Sequence, residues 1–133
     1  MSERVFVDTG FVFALINPND QFHQKATALS VQFEARPLLT TDAVLLEIGN
    51  ALSRRFRIES AKIIQYFLDS SDTEIARLTP DLFEKGFDLY KAYKDKEWGL
   101  VDCVSFVAMQ DKGVTEALTF DRHFIQAGFH VLT

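Results

Sequence analysis

The chain has 133 residues, 47% of them apolar, and a formal net charge of −5. That length and composition suit a single domain with a real core and exclude wholesale disorder. The lone Cys103 excludes an intramolecular disulfide and a cysteine-rich zinc site, and an acidic chain, taken naively, argues against a nucleic-acid partner.

In chain order, "RVFVD" at 4–8 is a continuously apolar run closed by an acid and followed by "TG". A central parallel strand, buried on both faces, reads this way. The run is too short to span a bilayer and lacks the basic start and cleavage site of a signal peptide. With one free cysteine, this gives the expectation of a cytoplasmic protein with no membrane partner. Asp8 or Thr9 is placed to open a short helix. Residues 22–34 read as helix, and "RPLLTT" as a short strand with Pro37 tolerable at its start.

Thr41 or Asp42 then caps a helix through about Arg55, with Val44, Leu45, Ile48, Leu52 and Phe56 on its apolar face. A second helix starts at Ser60, and "TEIARLT" reads as a strand. Thr79 and Pro80 are N-cap and N1 of the next helix. "LVDCVSFVAMQDKG" is a helix ended by Gly113. "TEALTF" and "FHVLT" are strands joined by a helical turn at 121–127. No repeat, low-complexity tract or Gly/Ser linker divides residues 1–133, and thirteen Phe residues point to packing mass. The alternation predicts one three-layer α/β/α domain with a mainly parallel sheet. The Phe-rich helices 60–70 and 81–94 suit either a homodimer interface or the core.

In such sheets ligands sit beyond the carboxyl ends of the strands, where strand order reverses. Asp8 ends the first strand and Asp121 follows the strand "ALTF", yet each alone reads equally well as a turn or cap residue. Glu47 lies on a stripe with Ala43, Asn50 and Arg54, opposite the apolar face; alone it reads as solvated surface. Asp102 differs, because its helix is apolar nearly all round. Its gain from the helix dipole, about 0.3–1 kcal/mol, is small beside the several kcal/mol cost of burying an unpaired charge. A paired or metal-bound carboxylate is therefore favoured. Ser105 stands at i+3 from Asp102, and Thr119 two residues before Asp121.

Two carboxylates about 4 Å apart repel by about 4 kcal/mol at an effective dielectric of 20. A cluster of four acids thus needs protons or cations, and oxygen-only ligands suit Mg²⁺ or Mn²⁺. Set aside, these acids leave a net charge of −1. With "RRFR" at 54–57 beside Glu47's helix, an anionic phosphate substrate is then reasonable, because bound ions attract it.

The pieces "VFVDTGFVFAL", "DAVLLEIGNAL", "LVDCVSFVAMQDKGV" and "ALTFDRHFIQAG", in this order, resemble the PIN domain, a nuclease family found among bacterial and archaeal toxins and RNA-processing factors. The resemblance covers essentially the whole chain. It implies a doubly wound fold whose acids meet at one edge of the sheet, with Asp8, Glu47, Asp102 and Asp121 as metal-site and catalytic acids. It also implies supporting roles for Thr9 and Asn50, to which Ser105 and Thr119 are added by their positions. The implied reaction is phosphodiester hydrolysis on RNA, one ion activating water and a second, about 3.5–4 Å away, stabilising the leaving oxygen. Small PIN domains are often the toxin of a toxin–antitoxin pair, which implies a small antitoxin protein as partner. His23, His123 and His130 show no catalytic spacing and are taken as ordinary.

Three rivals stand beside this. Asp-Thr-Gly also resembles the aspartic proteases, but that fold is all-β, against at least four helical segments here. A phosphoreceiver domain would need a second acid at the first strand and a lysine near "HVLT". A catalytically silent PIN-like binding module has no need to keep all four acids.

Overall fold

A computed structural model describes residues 3–133. The strands are β1 (Val5–Val7), β2 (Leu38–Thr41), β3 (Thr73–Ala76), β4 (Glu116–Leu118) and β5 (His130–Val131). The helices are α1 (Thr9–Ile16), α2 (His23–Gln32), α3 (Asp42–Ala51), α4 (Arg57–Asp69), α5 (Pro80–Ala92), α6 (Leu100–Lys112) and α7 (His123–Gln126). The sheet order is β3-β2-β1-β4-β5, and every pairing is parallel. Right-handed crossovers place α1–α4 on one face and α5–α7 on the other. The contacts α1·α2, α1·α3 and α3·α4, against α5·α6 and α6·α7, follow that division, while α3 also meets α6 across it. Among the described residues no helix is long and apolar enough to cross a membrane.

β1 is the centre of the sheet, and its Val5, Phe6 and Val7 are buried, as a continuously apolar parallel strand requires. The chain steps from β1 outward through β2 to β3, then crosses back to β4 on the other side of β1. Strand order therefore reverses between β1 and β4, and a crevice opens at their carboxyl ends.

Local chemistry sets most element ends. Thr41 caps α3 by accepting the Val44 N–H at 3.1 Å, and Thr79 caps α5 from Leu82 at 3.1 Å. Gly113 ends α6 in the left-handed conformation, φ 67°. Asp42 is freed from capping and instead accepts from Arg77 Nη1 and the Leu78 N–H, both at 3.1 Å.

The junction between α3 and α4 differs from expectation. α3 ends at Ala51 rather than near Arg55, and α4 begins at Arg57 rather than Ser60. Between them Leu52 is still buried and Phe56 half-buried, so the apolar period runs on through a turn that is no longer helix. Ser60 lies inside the first turn of α4, with its hydroxyl on the Arg57 carbonyl at 3.0 Å. The Phe-rich segments divide as well. Phe67 is buried, whereas Phe83, Phe87 and Tyr90 stack along the exposed side of α5.

Candidate active site

Asp8 occupies the N-cap position of α1, yet its side chain makes no capping bond. It is 6% exposed and accepts instead from the Thr119 hydroxyl, which donates to Oδ2 at 2.9 Å. The backbone there is tied on both sides: Asp8 N–H donates to the Leu118 carbonyl at 3.2 Å, and Thr40 Oγ1 donates to the Val7 carbonyl at 3.1 Å. The end of β1 is thus fixed from β4 and from β2, and the acid stands at the reversal point. The Thr119 hydroxyl also accepts the Asp121 N–H at 3.0 Å, so one side chain orders two acids.

Glu47 reaches the same crevice from α3. It is half-buried rather than solvated, and its Oε1 accepts from Thr9 Oγ1 at 2.7 Å. Ala43, placed with it on a polar stripe by sequence, is buried; its methyl packs in the core, and the polar face of α3 begins only at Glu47. Asn50, one turn further, lines the crevice.

Asp102 enters from the first turn of α6, where Oδ2 accepts the Gly99 N–H at 3.2 Å. The same oxygen lies 3.0 Å from His123 Nδ1, and that nitrogen lies 3.2 Å from Asp121 Oδ1. Ionised carboxylates only accept, so Nδ1 carries the proton it shares between them. Asp121 Oδ1 in turn accepts the His123 N–H at 2.9 Å, which fixes the short α7 against its own acid.

Two expectations are corrected by this geometry. His123, taken as ordinary, sits between Asp102 and Asp121. It carries no motif of its own; the available signal was its i+2 position after an acid that ends a strand, a turn that folds side chain and backbone together. Ser105, placed beside Asp102 by i+3 spacing, is fully buried and gives its hydroxyl to the Val101 carbonyl at 2.9 Å. It does not line the crevice, because the next turn of α6 has already passed into the core. His23, by contrast, holds the Ala14 carbonyl at 2.7 Å through Nδ1 and stays outside the site.

The crevice is open, with a volume of about 1340 Å³, and Asp8, Glu47, Asp102 and Asp121 all line it. Its electrostatics follow from crowding acids. Burial pushes the Asp8 carboxyl up to about 7. The Thr119 hydroxyl and the Thr9 N–H oppose the rise, and the charges of Asp102 and Asp121 add to it. Asp102 is also raised, first by burial and then by Asp121, against the hydrogen bond from His123. Both acids hold protons more tightly than free carboxylates do, as expected of neighbours that want a cation.

The donor set fits a divalent cation. One oxygen each of Asp102 and Asp121 and a ring nitrogen of His123 lie within 4.8 Å of one another. Asp8 faces both acids closely enough to feel their charge. Carboxylate oxygens suit hard divalent ions, and His123 could join them only once Nδ1 gives up its proton.

Residues 5–130 match the PIN domain family. The chain is 32% identical over 127 residues to the 23S rRNA-specific endonuclease VapC20 of Mycobacterium tuberculosis, covering 94% of this chain and 95% of that protein. The crystal structure of VapC20, described as a sarcin–ricin loop cleaving toxin, superposes with a TM-score of 0.82 at 31% identity over 94% of this chain and 95% of that one. A toxin–antitoxin complex from Klebsiella pneumoniae shares the fold at a TM-score of 0.66 and 16% identity, covering 97% and 96% of the two chains. The FitAcB structure from Neisseria gonorrhoeae shares it at 0.64 and 13%, again over 97% and 96%. With the acids gathered where β1 and β4 part, the reversal point of a wholly parallel sheet, the chain belongs to the PIN domain family.

Proposed function

We propose that this chain is a metal-dependent endoribonuclease, using Mg²⁺ or Mn²⁺, and the toxin of a toxin–antitoxin pair. The observation that carries this reading is the convergence of Asp8, Glu47, Asp102 and Asp121 on one open crevice. At about 1340 Å³ the crevice exceeds the span typical of small-molecule sites, and it suits a polymer strand passing through. The likeness to an rRNA endonuclease along nearly the whole chain supports the same reaction class.

Asp8, Asp102 and Asp121 would hold the cation, with Glu47 facing it from α3. A divalent ion held there would supply Lewis-acid activation of water and charge neutralisation at the phosphate. The chain's own part is positioning. Thr119 aims Asp8 and braces Asp121, while Thr9 fixes the Glu47 carboxylate toward the crevice. His123 keeps Asp102 and Asp121 at a set separation. Asn50, which lines the crevice, would offer an amide to the substrate.

The path of the strand has a basic continuation. Asn50 and Ala51 also line a second groove of about 350 Å³ that runs past Arg54 and Arg55. Both guanidiniums are exposed, and they suit the phosphates leading into the acidic centre. Inhibition by a small antitoxin protein follows from the same reading, since the fold is shared with a chain of a toxin–antitoxin complex.

The test compares wild type with Asp8→Asn on a mixed RNA pool, with Mg²⁺ or Mn²⁺ and then with EDTA. Cleavage that needs the metal and disappears in the variant supports the assignment. Equal cleavage by both proteins rejects it.

A further inference from the structure

One wall of the crevice is aromatic. Phe22 and Phe120 stack with ring centroids 4.5 Å apart and planes 10° from parallel, and Phe120 stacks in turn on Phe11 at 5.8 Å and 24°. Phe11 is in the core, Phe120 is half-buried and Phe22 is 37% exposed, so the ladder climbs from the core into the crevice. Phe22 and Phe120 both line it, beside Gln21 and Arg122.

The exposed end of this ladder is held, not loose. Asp20 Oδ1 accepts the Phe22 N–H at 2.9 Å, and the His23 N–H donates to the Asp20 carbonyl at 3.0 Å. His23 Nδ1 pins the segment to the Ala14 carbonyl of α1 at 2.7 Å. A partly exposed Phe forgoes apolar burial, and here the forgone surface opens onto the acidic crevice. A flat ring, backed by a second and rigidly mounted, is what an unstacked base binds on, because every base offers a π-face.

We propose that Phe22, backed by Phe120, is a stacking platform for an unpaired nucleobase of the RNA. This rests on the ribonuclease reading above. Duplex RNA keeps its base faces occupied by neighbours, whereas loops and single strands can splay a base outward. Phe120 and Asp121 are consecutive and line the same crevice, so the platform borders the acidic centre. Gln21 and Arg122 flank the platform with donors for the base edge or its phosphate.

The experiment measures metal-dependent cleavage of one labelled single-stranded RNA, and of the same sequence annealed to its complement, by wild type, Phe22→Ala, Phe22→Leu and Phe22→Trp. Binding of the single strand is measured in parallel in the Asp8→Asn background, and circular dichroism confirms folding. Phe22→Leu keeps apolar cover over Phe120 without an aromatic face. Phe22→Ala and Phe22→Leu are expected to raise KM and weaken binding by about 5- to 100-fold. Phe22→Trp is expected to stay within a few-fold of wild type, and the duplex to be a poor substrate whatever stands at 22. Unchanged KM in folded Phe22→Ala and Phe22→Leu overturns the platform. So does an equal shift on single strand and duplex. If wild type neither binds nor cleaves RNA, the ribonuclease reading fails and the platform fails with it.

Discussion

Thr119 donates its hydroxyl to Asp8 Oδ2 while accepting the backbone N–H of Asp121, so a single hydroxyl holds two acids of the crevice in register. Thr119 is 1% exposed, and no solvent replaces it cheaply. Thr119→Val keeps the shape and removes both bonds. Expected are a loss of stability of about 1–2 kcal/mol and a fall in metal-dependent cleavage of about tenfold or more. Thr119→Ser should recover most of the activity. Urea unfolding and kcat/KM on one RNA check this together.

Asp8 carries a pH-dependent cost. Its folded-state pKa is raised from 3.8 to about 7, so the metal-free folded protein binds a proton more tightly than the unfolded chain does. The stabilisation this gives is complete below the unfolded pKa and is lost as pH rises through about 7. Asp8→Asn cannot ionise and escapes that loss. In EDTA, the variant should exceed wild type in stability by about 2–4 kcal/mol at pH 8, with the gap closing toward pH 5. Denaturant melts at the two pH values measure it, and a wild type that is equally stable or more stable at pH 8 would contradict the assignment.

The same shift couples metal to protons. Ligand carboxylates must be deprotonated to bind a cation, so loading near pH 6.5 should release protons from Asp8, whose pKa is pushed up to about 7. Calorimetric titration of Mn²⁺ in buffers of different ionisation enthalpy reads that release. Affinity should rise with pH between 6 and 8, and the proton release should shrink in Asp8→Asn.

His123 is placed to keep Asp102 and Asp121 from repelling each other when no cation is present. His123→Ala should lower metal-free stability by about 1–3 kcal/mol. Added Mn²⁺ should then recover part of the loss, since an ion between the two carboxylates takes over the bridging that the ring provided. Thermal melts with and without the ion test this, and recovery by potassium chloride at equal ionic strength would point to general screening instead.

A prediction about the scaffold concerns Gly86 in α5. A Cβ there would fall 2.7 Å from Val104 Cγ2 and 3.2 Å from Val104 Cα. The second atom is backbone of α6 and cannot turn aside. Gly86→Ala should therefore cost about 1–3 kcal/mol by overpacking, while activity per folded molecule at low temperature stays near wild type.

Much of this was legible in the amino-acid order, and the rest fails for identifiable reasons. β1 announces itself because burial on both faces needs an unbroken apolar run, and Asp8 stands where that run stops. Thr41, Thr79 and Gly113 were readable because caps depend on one residue's own chemistry. Glu47 could not be assigned to the site from its helix alone, since its burial comes from packing beside α1 and its bond to Thr9. His123 was hidden for a similar reason: its partner Asp102 is 21 residues away in the chain. Ser105 misled because helical spacing reports which residues are neighbours on one helix and not which way the helix faces.

The bond between Thr119 and Asp8 spans 111 positions, and β1 has β4, from the last fifth of the chain, as one of its two neighbours. During synthesis the first strand emerges early and must wait for almost everything else before its acid is held. Long-range parallel pairing of this kind is slow to form. A growing chain therefore carries Asp8 unheld until β4 and Thr119 have emerged, and the crevice takes its working order only after they pair with β1.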